Sequence, residues 1–243
     1  MPELDFGNIY SSNGKIIQHR YAQKAIDAGS TMIAMKNSKG AVLLVSKPIV
    51  SRLHAIDNDH RIKRIAANAY MSYTGLLTDG ALICSICKDA VRDYVSSFNS
   101  DITTEYLKSI IFEYVYMFTS SIGSRVIGAS LFTIVKDEDE YSLLFTDCTG
   151  KVSRWNACAA GKGERRAFTE LEKLSLEDMS IREMVDQGIK ILHKCHDSLT
   201  EPKFSVEAGY IGIESNGEFA RIPESEISQI CEKYQDLSID DEY

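Results

Sequence analysis

The stretch DAGSTMIAMKNSKGAVLLVS, Asp27 to Ser46, decides the fold. Two apolar runs, Thr31–Lys36 and Ala41–Ser46, flank the four residues Asn-Ser-Lys-Gly, a spacing that predicts an antiparallel hairpin. Upstream, IIQHRYAQKAIDAG predicts a short helix from Gln18 to Ala28, with Gly29 where helices commonly stop. Gly29, Ser30 and Thr31 therefore stand directly before the first strand, placing two hydroxyl side chains at its entrance.

Downstream, a second strand pair is expected within RIKRIAANAYMSYTG, from Arg61 to Gly75. Two helical patterns follow. Ile83, Cys87, Ala90 and Tyr94 share one stripe, and Tyr106, Leu107, Ile110, Ile111, Tyr114 and Phe118 share the next. The segment IGASLFTIVKDEDEYSLLFTDCTGKVSRWN reads as strand, acidic turn, strand, tight turn, strand. Helices are then predicted in GKGERRAFTELEKL and from Ile181 to His196, with Met184, Val185, Ile189 and Leu192 inward. A strand near Val206–Ile213 and a helix over Glu224–Tyr234 complete the pattern.

Two blocks of hairpin-linked strands separated by helix pairs predict an α+β, four-layer αββα sandwich, two mostly antiparallel sheets face to face beneath outer helices. With four prolines and no repeat or linker, residues 1–236 read as one domain. The last twelve residues, EKYQDLSIDDEY, carry five acids and one lysine, so 237–243 is expected to be a solvated, mobile acidic tail.

Composition narrows the function classes. A formal charge of −8 argues against a nucleic-acid binder, which needs a basic face. No apolar run approaches the roughly 20 residues that span a bilayer, and the first residues lack a secretory pattern, so no membrane contact and an intracellular chain are expected. Six scattered cysteines suit reduced thiols better than a disulfide framework. The Cys84–Cys87 pair has C-x-x-C spacing but lies within a helical pattern and lacks a second ligand pair, so core cysteines are expected. His193 and His196 have no acidic or cysteine partner at metal spacing. The turn AAGKGERR fails the P-loop pattern because Gly163 follows Lys162 where Ser or Thr belongs. A close-packing turn is expected there, with neither cofactor nor metal.

One family does fit. IYSSNGKIIQHRYAQKAI resembles the N-terminal signature of proteasome α-type subunits, a serine- and glycine-containing turn before a helix bearing Gln-x-x-Tyr-Ala-x-x-Ala. Tyr10, Ser11, Gly14, Gln18, Tyr21, Ala22 and Ala25 stand at matching positions. The likeness continues through GSTMIAMKNSKGAVLL, SRLH, RVIGAS, TDCTGKV and GKGERRAFTELEKL. The segment MVDQGIKILHKCHDSLTEPKFSVEAGYIG, with the acidic end, most resembles the type-3 class of eukaryotes. Three departures stand out. Ser12 replaces the turn proline, Arg125–Gly128 reads Arg-Val-Ile-Gly for Arg-Pro-Phe-Gly, and only Asp5 survives of an expected Tyr-Asp dipeptide.

The resemblance implies an N-terminal nucleophile hydrolase fold used as scaffold. Catalytic relatives expose a Ser, Thr or Cys whose own amine is the base, beside a lysine and an orienting acid. Aligned on Gly-Ser-Thr, Ser30 takes the nucleophile position, Ser46 the acid position and Arg61 the lysine position. A hydroxyl carries no charge, and a guanidinium stays protonated. The resemblance thus implies a non-catalytic member of the outer heteroheptameric α ring of the proteasome core particle, in cytoplasm and nucleus. Its partners would be other α subunits, β subunits of the inner ring, and a regulatory particle or other activators. Asp5, Tyr10, Ser12 and Gly14 would form the gate segment and its turn. Gln18, Tyr21, Ala22 and Ala25 would lie on a ring-end helix, and Tyr21 and Arg61 would line an activator-docking pocket. The alternative is an active amidohydrolase cut between Gly29 and Ser30.

Overall fold

A computed structural model of the chain describes residues 9–51, 53, 59–121, 123–138 and 140–234. Asp5 and the acidic tail at 237–243 lie outside the described residues.

Helix α1 (Ile17–Asp27) turns Ala22 and Ile26 inward and leads into β1 (Met32–Asn37) and β2 (Gly40–Pro48). Their ladder runs from Met32 opposite Val45 to Asn37 opposite Gly40. The hairpin turn is therefore only Ser38-Lys39, tighter than the four residues expected. Asn37 makes this possible, because its Oδ1 accepts the N–H groups of Lys39 at 2.9 Å and Gly40 at 3.2 Å.

The strand pair expected after Arg61 forms as β3 (Lys63–Arg64) and β4 (Ala69–Gly75). Helices α2 (Leu77–Phe98) and α3 (Thr104–Ser120) follow, the second capped by the Thr103 hydroxyl, which accepts the Tyr106 N–H. Strands β5 (Ala129–Asp137), β6 (Glu140–Thr146) and β7 (Val152–Trp155) meander as expected. A strand that escaped sequence reading, β8 (Ala157–Ala160), precedes α4 (Glu164–Leu171). Helix α5 (Ile181–Cys195) starts in a Ser180–Glu183 capping box. Strand β9 (Phe204–Gly212), a second missed strand β10 (Phe219–Arg221) and α6 (Glu224–Tyr234) end the described fold.

Every pairing is antiparallel, in two five-stranded sheets ordered β10-β9-β2-β1-β8 and β3-β4-β5-β6-β7. Met32, Leu43, Phe132, Ile134 and Leu143 are fully buried between them. Helices α4, α5 and α6 cover the outer face of the first sheet over Leu44 and Ile189. Helices α2 and α3 cover the second over Met71, Ile83 and Leu107. The expected αββα sandwich is the observed architecture. The inward stripe of α3 holds for Leu107, Ile110 and Ile111 but not for Tyr106, which is 44% exposed and tilts onto the Tyr94 ring at 4.5 Å.

Gly29 does occupy the position after the helix cap, but not for conformational freedom. A Cβ there would stand 2.4 Å from the Gly75 backbone nitrogen. Gly75, at φ +99°, is pressed in turn against the Gly128 carbonyl. Two glycines let the end of α1 close over the ends of β4 and β5. No helix among the described residues is long and apolar enough to cross a membrane.

Candidate functional site

Ser30 lies at the α1–β1 junction, and its surroundings are built from backbone contacts. The Gly29 carbonyl accepts the Lys162 N–H at 3.0 Å, and the Ser30 carbonyl accepts the Thr74 hydroxyl at 2.5 Å. Gly161, at φ +94°, passes so close that a Cβ would stand 2.3 Å from the Ser30 carbonyl oxygen. The Gly163 N–H donates to Thr31 Oγ1 at 3.0 Å. The turn Gly161–Gly163 is thus closely packed, as expected, and clamps the junction.

Ser46 sits beside Thr31, and both its N–H and its hydroxyl donate to the Thr31 carbonyl, at 3.0 and 2.9 Å. A cavity of about 300 Å³ opens here, lined by Ser30, Thr31, Ser46, Lys162, Leu192 and Phe204 among others. Its ionic rim is Glu201, 2.6 Å from Lys162 Nζ and 3.1 Å from His196 Nδ1. The cation that shares this cavity with Ser30 is therefore Lys162, already paired; Arg61 does not line it. Among the described residues no side chain hydrogen-bonds the Ser30 hydroxyl.

The signature segment before α1 folds as a small turn. Tyr10 bridges Ile16, the Ser11 N–H donates to the Lys15 carbonyl at 2.8 Å, and the Gly14 N–H returns to the Ser11 carbonyl at 2.9 Å. Gly14 takes φ +70°, so the turn through Ser12 closes without the proline. Tyr10 is 75% exposed. On α1, Ala22 is buried, Gln18 half-buried, and Ala25 faces Gly128. Tyr21 is exposed with Lys24 Nζ 5.7 Å from its ring centre.

The Arg-Val-Ile-Gly element keeps its work through a residue that sequence reading passed over. Asp79, near the start of α2, pairs as a fork with Arg125 and accepts the Gly128 N–H at 2.9 Å. Burial opposes its ionisation, but these hydrogen bonds outweigh that and hold its carboxyl below the usual value. Val126 and Ile127, which stand where Pro-Phe was expected, are buried.

Arg61 stands where the chain enters β3, on a different element from Tyr21. Its side chain is 12% exposed and its Nε is 2.9 Å from Asp59 Oδ2. Around it lies a charged group that no motif announced: Glu207 on β9, Lys47 on β2 and Arg221 on β10. Lys47 and Glu207 interrupt otherwise apolar strands, LLVSKP and FSVEAGYIG, which was the one signal available. The Asp59 carboxyl is held low, since the Arg61 hydrogen bond and the Arg61, Lys47 and Lys63 charges outweigh its desolvation.

Cys84 and Cys87 are buried on the inner face of α2, where desolvation pushes their thiols up to about 11 and about 12. They are core residues. His193 and His196 both pack against the Phe204 ring, at 5.0 and 4.7 Å, and burial lowers the pKa of His193. No group of three or more potential metal ligands converges among the described residues.

Comparison with known proteins agrees with this architecture. Residues 26–211 match the family described as "Proteasome subunit". The chain is 39% identical over 242 residues to the probable proteasome subunit alpha type-7 of Encephalitozoon cuniculi, covering 100% of both chains. It is 32% identical to the proteasome subunit alpha type-3 of Drosophila melanogaster, over 96% of this chain and 92% of the relative. It is 31% identical to the alpha type-3 subunit of Arabidopsis thaliana, over 88% and 86%.

Proposed function

The chain belongs to the proteasome subunit family as an α-type member, and from that premise we propose that it is a non-catalytic wall subunit of the outer ring of the core particle. Relatives named type-3 and type-7 both match at modest identity, and both are α-type subunits. The reading takes residues 1–236 as one scaffold domain of the N-terminal nucleophile hydrolase fold, working in cytoplasm and nucleus.

The observation that carries it is the seat of α1. A catalytic relative would be cut after Gly29, which here would remove the whole helix. Ile26 is fully buried and Ala22 nearly so, both within the cluster between the sheets. Losing Ile26 alone forfeits roughly 1.5–3 kcal/mol of burial and leaves the sandwich end open to water. Helix α1 is thus part of the core, which supports a chain that keeps it.

As a wall subunit the chain meets α neighbours through side-to-side contacts that close only as a ring, with β subunits of the inner ring on one face. Tyr10, Ser12 and Gly14 then belong to the gate segment, to which Asp5 also contributes, and α1 forms the ring-end surface. Tyr21 and Arg61 then contribute to a pocket for the C-terminal tails of a regulatory particle or other activators. A guanidinium suits a terminal carboxylate there.

Native mass spectrometry of the complex purified from its own cells tests the reading, with N-terminal sequencing of the same sample. The expected result is a multi-subunit particle containing a chain that begins before Gly29. A monodisperse monomer, or a mature chain starting at Ser30, refutes it.

A further inference from the structure

We infer that Glu207 is a positioning residue of the Arg61 pocket, setting where the guanidinium stands without touching the incoming tail. The inference rests on the docking role proposed for Arg61.

Glu207 sits on β9 in the first sheet, 7% exposed, 146 residues from Arg61 in sequence. A carboxylate so buried must be paired and hydrogen-bonded to stay ionised. Arg221 Nη1 donates to Oε1, while Lys47 Nζ lies 3.9 Å from Oε2 and His60 Nδ1 3.8 Å from Oε1. Its two oxygens then accept backbone, the Arg61 N–H at 2.7 Å and the Ile62 N–H at 3.3 Å.

The partners of Glu207 reach the same segment. Arg221 Nη2 donates to the Ile62 carbonyl at 2.8 Å, and Lys47 Nζ to the Asp59 carbonyl at 3.3 Å. Ser72 on β4 donates to the Arg61 carbonyl at 3.0 Å. Five backbone groups between Asp59 and Ile62 are therefore held by side chains from β2, β4, β9 and β10, drawn from both sheets. Four of the five depend on Glu207 or on a cation that Glu207 neutralises.

This matters because Arg61 offers little surface. Asp59 takes its Nε, so a second carboxylate must meet the terminal nitrogens of a side chain only 12% exposed. Recognition of this kind needs the donor held to within about 0.5 Å, and a shift of 1 Å removes most of its value. Removing the Glu207 charge frees the segment and takes away the carboxylate that Arg221 and Lys47 face.

The test uses core particles carrying single variants in this chain and a labelled ten-residue peptide copied from an activator C-terminus. The peptide is made once with a free carboxylate and once as the C-terminal amide. The readout is the ratio of the two affinities, which a general loosening of the pocket leaves unchanged. Glu207→Gln is expected to cut the carboxylate preference about tenfold, as Arg61→Ala does, with Glu207→Asp in between. Should neither Glu207 variant assemble, Arg221→Gln, altering the more exposed partner, is expected to lower the ratio.

If Arg61→Ala abolishes the preference while the assembled Glu207 variants, or Arg221→Gln in their absence, keep it, the inference is overturned and the docking reading stands. If Arg61→Ala itself keeps the preference, the docking reading fails and the inference fails with it.

Discussion

Replacing Gly29 by alanine probes whether the α1–β1 junction is as closely built as its contacts imply. The added Cβ would stand 2.4 Å from the Gly75 nitrogen and 2.7 Å from both Gly75 Cα and Thr74 Oγ1. Ordinary contact begins near 3.4 Å, so the two segments must part by about 1 Å. No side-chain rotation relieves this, because two of the three atoms are backbone. Gly75 is itself closely packed, since a Cβ there would stand 2.4 Å from the Gly128 carbonyl oxygen and 3.1 Å from Ile26 Cα.

Parting the segments stretches the Thr74 bond to the Ser30 carbonyl and the Lys162 bond to the Gly29 carbonyl. Overpacking costs about 1–3 kcal/mol and the two weakened hydrogen bonds about 0.5–1.5 each, so a loss of roughly 2–6 kcal/mol is expected. At this chain length that lowers the melting temperature by about 4–24 °C, readable by circular dichroism. Gly14→Ala is the control, because it meets nothing within 4 Å and carries only the strain of φ +70°, about 1 kcal/mol. A Gly29→Ala protein that melts within about 2 °C of the parent, or no lower than Gly14→Ala, refutes the close-packing argument.

Asp79→Asn should destabilise the chain by about 1–3 kcal/mol at pH 7, because it takes the charge from the fork to Arg125 and the Gly128 N–H. The Asp79 carboxyl is held below its ordinary value of 3.8, so its contribution is full above that pH and fades as pH falls through the lower folded value. Urea titrations should therefore show a gap between parent and variant at pH 7 that closes toward pH 2, and a gap independent of pH contradicts the assignment. Cys84 and Cys87, with thiols near 11 and 12 in the core of the second sheet, should react with a thiol reagent at pH 8 only after unfolding. Rapid labelling of either in the folded chain would place it elsewhere. Ser30→Ala should leave peptide hydrolysis by the assembled particle within about twofold of the parent, and a larger loss would return Ser30 to the chemistry.

Much of the sandwich was legible because its elements announce themselves locally. Ile83 with Cys87, and Val185 with Ile189, repeat at helical spacing whatever lies around them. The hairpin across Asn37–Gly40 is set by a turn residue bonding its own backbone. Strands β8 and β10 gave no such sign. Ala157–Ala160 has neither alternation nor branched side chains, and it becomes a strand only because β1 offers a free edge. Phe219–Arg221 is three residues long and exists by pairing with β9.

The site divides along the same line. Sequence by itself determined that serines stand at 30 and 46, and that a helix pattern with a family signature precedes them. Those are statements about residue identity along one stretch of chain. Only the tertiary structure decided that Lys162, not Arg61, shares the cavity with Ser30, and that Asp79 supports the Arg125–Gly128 element. The same holds for Glu207, which grips the backbone of a residue 146 positions away. A buried charge takes its meaning from the partners that offset its desolvation, and those partners come from strands that only the folded sheets bring together.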